Sequence, residues 1–186
     1  MYTSLLVNVP NFITIIRILS IPILIVVLLS QFKGSEITGF AIFLLAALTD
    51  MLDGIWARRK NQITTIGKLL DPIADKLLVA SALICLVELG TLASWMAIIL
   101  IGRGIAVTGL RAIASSQGHQ IQASGMGKIK MWVEATAISL LILGSNILGQ
   151  FYILALIGIW LAIAVSLISG AEYFLKFRFL FASKDS

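Results

Sequence analysis

Four of the five aspartates in this chain, Asp50, Asp53, Asp71 and Asp75, crowd into one short window of an otherwise strongly apolar sequence. Carboxylates in such a setting are costly unless something neutralises them. On a helix, Asp50, Asp53, Gly54, Ala57 and Arg58 stand at i, i+3, i+4, i+7 and i+8 and share one face. Gly67, Asp71 and Asp75 repeat the pattern at i, i+4 and i+8, and the stretch between, with Asn61 and two threonines, is long enough to turn the two faces together. Four facing carboxylates cannot all ionise unless cations lie among them. Neither His nor Cys accompanies the cluster, which argues against zinc and for Mg²⁺ or Mn²⁺, and two ions can share bridging carboxylates. A two-metal site of that kind clamps an in-line displacement at phosphorus.

The rest of the stripe fits the same chemistry. Gly54 and Gly67 leave room where a bulky ligand approaches the backbone, Ala57 keeps the face open, and Arg58 offers a planar fork for a diphosphate. Two alternatives use the same residues. Small residues can serve helix packing, and membrane carboxylates can form an ion pathway, which would make the chain a divalent-cation carrier.

The elements that position these residues follow from composition. Of the 186 residues, 59% are apolar and only 12% charged, and the mean hydropathy is +1.03. A soluble domain carries about twice that charged fraction. Apolar runs long enough to cross a hydrocarbon core of about 30 Å recur along the whole length. The expectation is an all-α integral membrane protein, one domain over residues 1–186, with six transmembrane helices and a polar active site on the cytoplasmic side. The spans are predicted from Phe12 to Gln31, Ile37 to Arg59, Ile73 to Leu89, Ala93 to Ile113, Ile129 to Leu148 and Phe151 to Tyr173. The first is read as a retained membrane helix, because no Lys or Arg precedes Arg17 and no small-residue cleavage site follows the apolar stretch.

Arg58, Arg59, Lys60, Lys68 and Lys76 lie in and beside the connection of the second and third spans, Lys128 and Lys130 at that of the fourth and fifth, and Lys176, Arg178 and Lys184 in the tail; the opposite loops offer only Lys33. This asymmetry places both termini and the two longer loops inside. The net charge of +5 then reads as attraction to anionic headgroups or phosphate substrates, with no nucleic acid as partner. Cys85 is alone in an apolar run and reads as a small buried side chain. His119 reads as a solvated loop residue.

Asp50, Asp53, Gly54, Ala57, Arg58, Gly67, Asp71 and Asp75 match in full the pattern D-x2-D-G-x2-A-R-x8-G-x3-D-x3-D. In this the sequence resembles the CDP-alcohol phosphotransferase family, and eight fixed positions make the likeness specific. The resemblance implies a six-helix membrane enzyme, usually a homodimer, that moves a substituted phosphate from a CDP-linked donor to an alcohol and releases CMP. It implies that Asp50, Asp53, Asp71 and Asp75 hold two Mg²⁺ or Mn²⁺ ions and that Asp75 is also the catalytic base. It places Gly54, Arg58, Gly67 and Thr64 around the cytidine diphosphate, and Asn11 and Thr14, from an N-x-P-N-x-x-T-x-x-R opening that ends at Arg17, near the nucleotide.

Beyond the signature the likeness extends to members of the family that transfer the phosphatidyl group of CDP-diacylglycerol to glycerol 3-phosphate in a bacterial cell membrane. Arg103, Leu110-Arg111 and Gly127-Lys128-Ile129-Lys130 resemble their acceptor-side positions. Arg103 and Arg111 stand at i and i+8 on one helix face, and Lys128 with Lys130 opens the next helix, so four cations can converge on one phosphate. Arg103 can instead pair with Glu134 or with a cluster carboxylate. The chain departs from the family with Gly104 after Arg103, and with Met131 and Glu134 after Lys130. Another acceptor with the same donor, for instance inositol phosphate, therefore stays open. Gly102, Gly104 and Gly109 suit either close helix packing or a dimer seam.

Overall fold

The computed structural model describes the backbone of residues 9–60, 65–116 and 125–182, and the side chains of 14–49, 73–116 and 130–175. These residues form six α-helices and one 3-10 turn, with no strand among them. The helices are α1 (Val9–Ser30), α2 (Ser35–Lys60), α3 (Thr65–Glu88), α4 (Ser94–Ser116), α5 (Gly125–Leu148) and α6 (Tyr152–Ala182), the 3-10 turn Gly149–Phe151 joining the last two. With 22 to 31 residues each, they are about 33 to 46 Å long.

Packing closes the helices into a ring, α1 beside α2, α2 beside α5, α5 beside α6, α6 beside α4, α4 beside α3, and α3 back against α1. Weaker contacts of α3 with α2 and α5 cross it. The centre is filled by Leu24, Phe43, Leu78, Leu83, Leu86, Leu100, Ile138, Leu141 and Ile159, all at most 2% exposed. The outside is apolar too: Ile15, Leu19, Ile23, Val26, Leu45, Ile98, Ile105, Leu154, Trp160 and Ile168 stand exposed. A surface of that kind is stable against lipid and not against water. Ser94–Ser116 and Lys130–Leu175 are long and apolar enough to cross a membrane, and Thr14–Ser30 and Ser35–Thr49 form shorter apolar helices. The described residues thus make up an all-helical membrane protein.

Helix ends are set by local chemistry. Gly90, at φ +72°, ends α3 in a left-handed cap, its N–H donating to Val87 O at 3.0 Å while Thr91 N–H donates to Leu86 O at 3.0 Å. Gly144 breaks the regular path of α5 with φ 67° and ψ 175°, a region only glycine enters cheaply. Cys85 is buried as expected, and His119 lies outside the described residues.

Most helix ends agree with the apolar spans to within a few residues, but two do not. α3 starts at Thr65, eight residues before the expected span, and α6 runs to Ala182, nine beyond it. Hydropathy registers where a helix meets hydrocarbon, whereas these two continue through polar residues such as Lys68, Asp71, Lys176 and Arg178.

Candidate active site

The signature residues divide between the last part of α2 and the first part of α3, which are joined through residues 61–64 and touch one another. Asp50 lies ten residues before the end of α2 and Asp75 ten residues after the start of α3, so both stand about 15 Å along their helices from the junction. Asp53 and Asp71 stand seven and six residues from it, about 10 Å. Counted along the backbone, the four aspartates therefore fall at two levels, one residue of each helix at each level. Four aspartates with no Cys or His among them are the residue types that suit a hard divalent cation. The side chains of Asp50, Asp53, Gly54, Arg58, Gly67 and Asp71 lie outside the described residues, as do Asn11, Thr64 and Lys128.

Asp75 is described. Its Oδ2 accepts a bond from Lys76 Nζ at 2.8 Å, and the two side chains are 26% and 37% exposed. Both lie on α3, and the Lys76 stem runs beside α4. A Cβ added at Gly104 would stand 3.4 Å from Lys76 Cδ, an ordinary contact, so the position that departs from the family pattern lies directly beside the lysine stem. On α1, Thr14 and Arg17 are each 2% exposed. Both are carried on the helix that packs against α2 and α3.

Three of the basic residues expected on the acceptor side, Arg103, Arg111 and Lys130, are described, and they stand on α4 and α5, both of which pack against α6. Arg103 Nε donates to Ser166 O at 3.1 Å and its Nη2 to Ser169 Oγ at 2.6 Å, so its guanidinium is fixed to α6. Gly170 permits this approach, since a Cβ there would stand 3.3 Å from Arg103 Cγ. Arg111, two turns further along α4, places its guanidinium 5.8 Å from the centre of the Tyr173 ring, a cation–π contact. Lys130 Nζ lies 2.9 Å from Glu134 Oε2, with side-chain exposures of 8% and 9%. The charges of Arg103, Arg111, Lys130, Glu134 and Lys76 are near enough to act on one another in a chain. Glu134 thus takes Lys130 as its ion-pair partner, while Arg103 bonds to neutral groups of α6.

Several members of this cluster were not legible as site residues. Lys76 was visible only as one of the basic residues near the second and third spans, and Glu134 only as a departure from the family pattern and an alternative partner for Arg103. Ser166, Ser169 and Tyr173 carried no signal, because an apolar helix with occasional serines reads as packing. Their spacing at i, i+3 and i+7 was the one hint that they share a face.

The family model of the CDP-alcohol phosphatidyltransferases matches residues 7–168. The chain belongs to this family. A protein of Bacillus subtilis (strain 168) named CDP-diacylglycerol–glycerol-3-phosphate 3-phosphatidyltransferase is 40% identical over 183 residues, covering 91% of this chain and 94% of its own. A protein of the same name from Rickettsia felis is 35% identical, with 90% and 93% covered. One from Mycobacterium tuberculosis (strain H37Rv), named as a probable phosphatidylglycerophosphate synthase, is 35% identical over 89% of this chain and 79% of its own.

Proposed function

We propose that the protein transfers the phosphatidyl group of CDP-diacylglycerol to the hydroxyl of glycerol 3-phosphate, giving phosphatidylglycerophosphate and CMP. The observation that carries this reading is the full eight-position signature, set on two joined helices in a chain similar over most of its length to relatives named for that reaction. Six spans, with both termini and the carboxylate levels on the cytoplasmic side, follow from the distribution of Lys and Arg. A homodimer rests on the family resemblance alone.

In this reading Asp50, Asp53, Asp71 and Asp75 hold two divalent ions, Mg²⁺ or Mn²⁺. Bound there, the ions would neutralise the diphosphate of the donor. Asn11, Thr14, Gly54, Arg58, Thr64 and Gly67 line the nucleotide. Arg103, Arg111, Lys128 and Lys130 bind the phosphate of the acceptor. Asp75 takes the proton of the acceptor hydroxyl as that oxygen bonds to the phosphatidyl phosphorus and the bond to CMP breaks. Since Lys76 holds Oδ2, Oδ1 is the oxygen assigned to the proton. The lysine also fixes the carboxylate's orientation, which transfer chemistry of this kind needs more than it needs a strong base.

The test is CMP release by the purified protein with CDP-diacylglycerol and a panel of alcohols. Release with glycerol 3-phosphate alone supports the reading. Release with inositol phosphate would move the acceptor, and divalent-cation flux in liposomes without CMP release would replace the enzyme by a carrier.

A further inference from the structure

Four described cations stand at the acceptor side, and among the described residues they are held in two different ways. The lysines have carboxylates from their own helices, Lys76 with Asp75 and Lys130 with Glu134. The arginines have neutral partners, Arg103 the carbonyl and hydroxyl of α6 and Arg111 the Tyr173 ring. Asp75 belongs to the proposed catalytic centre. Glu134 does not, and no step of the proposed reaction uses it.

The Lys130–Glu134 pair is buried, at 8% and 9% side-chain exposure. A buried ammonium that loses its anion is strongly destabilising, so Lys130 needs Glu134 whenever no other anion is present. An acceptor bearing a phosphate is such an anion. When its oxygens take Lys130, Glu134 is not stranded, because the charge of Arg103 already acts on it. A glutamine in the same place would still accept a hydrogen bond from Lys130 through its amide oxygen, but would set no negative charge against an incoming dianion.

We infer that Glu134 is a built-in stand-in for the acceptor phosphate: it holds Lys130 while the acceptor is absent, yields the ammonium to the incoming phosphate, and by its own charge sets how tightly that phosphate is held. This rests on the reading above in one respect, that the acceptor is phosphorylated. The glutamate thereby keeps the site ordered when empty and the acceptor weakly enough bound to exchange.

Glu134→Gln tests it by two routes. The first is kinetic: the acceptor KM should fall about 5-fold or more, the scale of relieving a like charge in a poorly solvated site, with the CDP-diacylglycerol KM unmoved. The second uses inorganic phosphate on the detergent-solubilised protein without donor or acceptor, where the rise of the thermal midpoint should begin at a correspondingly lower phosphate concentration in the variant. A glutamate that serves only packing would shift the midpoint at zero phosphate and leave both affinities as they were, which overturns the proposal. Should Glu134→Gln not fold, Lys130→Gln and the double variant Lys130→Gln/Glu134→Gln decide it. The single variant leaves the glutamate facing the phosphate and raises the acceptor KM; the double variant should recover part of that loss, and no recovery counts against the proposal. Wild-type protein stabilised by phosphate but releasing no CMP with glycerol 3-phosphate would remove the functional reading and leave the role of Glu134 standing. Absence of any phosphate effect on the wild type would remove the role itself.

Discussion

Asp75 is asked to do more than its three companions. It shares the proposed metal set, it is the proposed base, and its Oδ2 already accepts the Lys76 ammonium. Those roles separate on substitution. Asp75→Asn keeps the shape and loses the proton acceptor, so kcat should fall by about 100-fold or more, the low end for a positioned base, while donor affinity stays comparatively intact. Should donor affinity fall as far as kcat, the residue is chiefly a metal ligand. Asp50→Asn and Asp71→Asn belong to the opposite case. Each should abolish turnover and weaken CDP-diacylglycerol binding together, because the charge that offsets the diphosphate goes with the carboxylate. Near-normal CMP release at saturating Mg²⁺ in either variant would defeat the two-ion reading. Ser169 offers a quieter test of the acceptor side. Ser169→Ala removes the hydroxyl that accepts the 2.6 Å bond from Arg103, and a hydrogen bond to a charged group contributes about 1.5 to 3 kcal/mol. The acceptor KM should rise about 10-fold, against an unchanged KM if Arg103 serves only to join α4 to α6.

The helices show where sequence reasoning reached and where it stopped. The spacing of Asp50, Asp53, Asp71 and Asp75 implied two carboxylate-bearing helices, and α2 and α3 carry them at matching levels from their junction. Spacing within one helix is fixed by the backbone and so can be read directly. The attachment of Arg103 to Ser166 and Ser169, 63 and 66 residues away, could not be, since it depends on which helix of the ring lies beside α4. The break in α5 was equally hidden. Gly144 sits between an apolar run and Ser145-Asn146 inside one expected span, and only its backbone, at φ 67° and ψ 175°, shows the need for glycine. Gly144→Ala should therefore destabilise the protein by about 1 to 3 kcal/mol. Gly102→Ala is the control, because a Cβ there meets nothing within 4 Å and the helix gains propensity. Equal thermal midpoints for the two variants would mean that the chain re-forms a continuous α5 at no cost.

On the scale of the whole molecule, the ring of six helices is polar at one end and apolar around its girth. The end of α2, the start of α3, the end of α4, the start of α5 and the end of α6 hold most of the Lys and Arg from Arg58 onward, with Lys76 and Arg103 deeper in α3 and α4, while the turn between α1 and α2 holds only Lys33. In a membrane such an asymmetry is an orientation signal, and the proposed orientation has the basic end on the cytoplasmic side. It also concentrates cations where the proposed substrates meet, a lipid diphosphate and a soluble phosphate. The lone Cys85 is buried, so single cysteines can be placed on an unreactive background. A cysteine at Ser145 or Gly34 should react with an impermeant thiol reagent added to intact cells, and one at Ser115, near the end of α4, only after the membrane is opened. The reversed pattern would put the carboxylate levels outside, away from any nucleotide-linked lipid made in the cytoplasm. Labelling of both positions from the same side would instead break the alternation on which the six spans depend, for Gly34 and Ser115 are separated by α2, α3 and α4, an odd number of crossings.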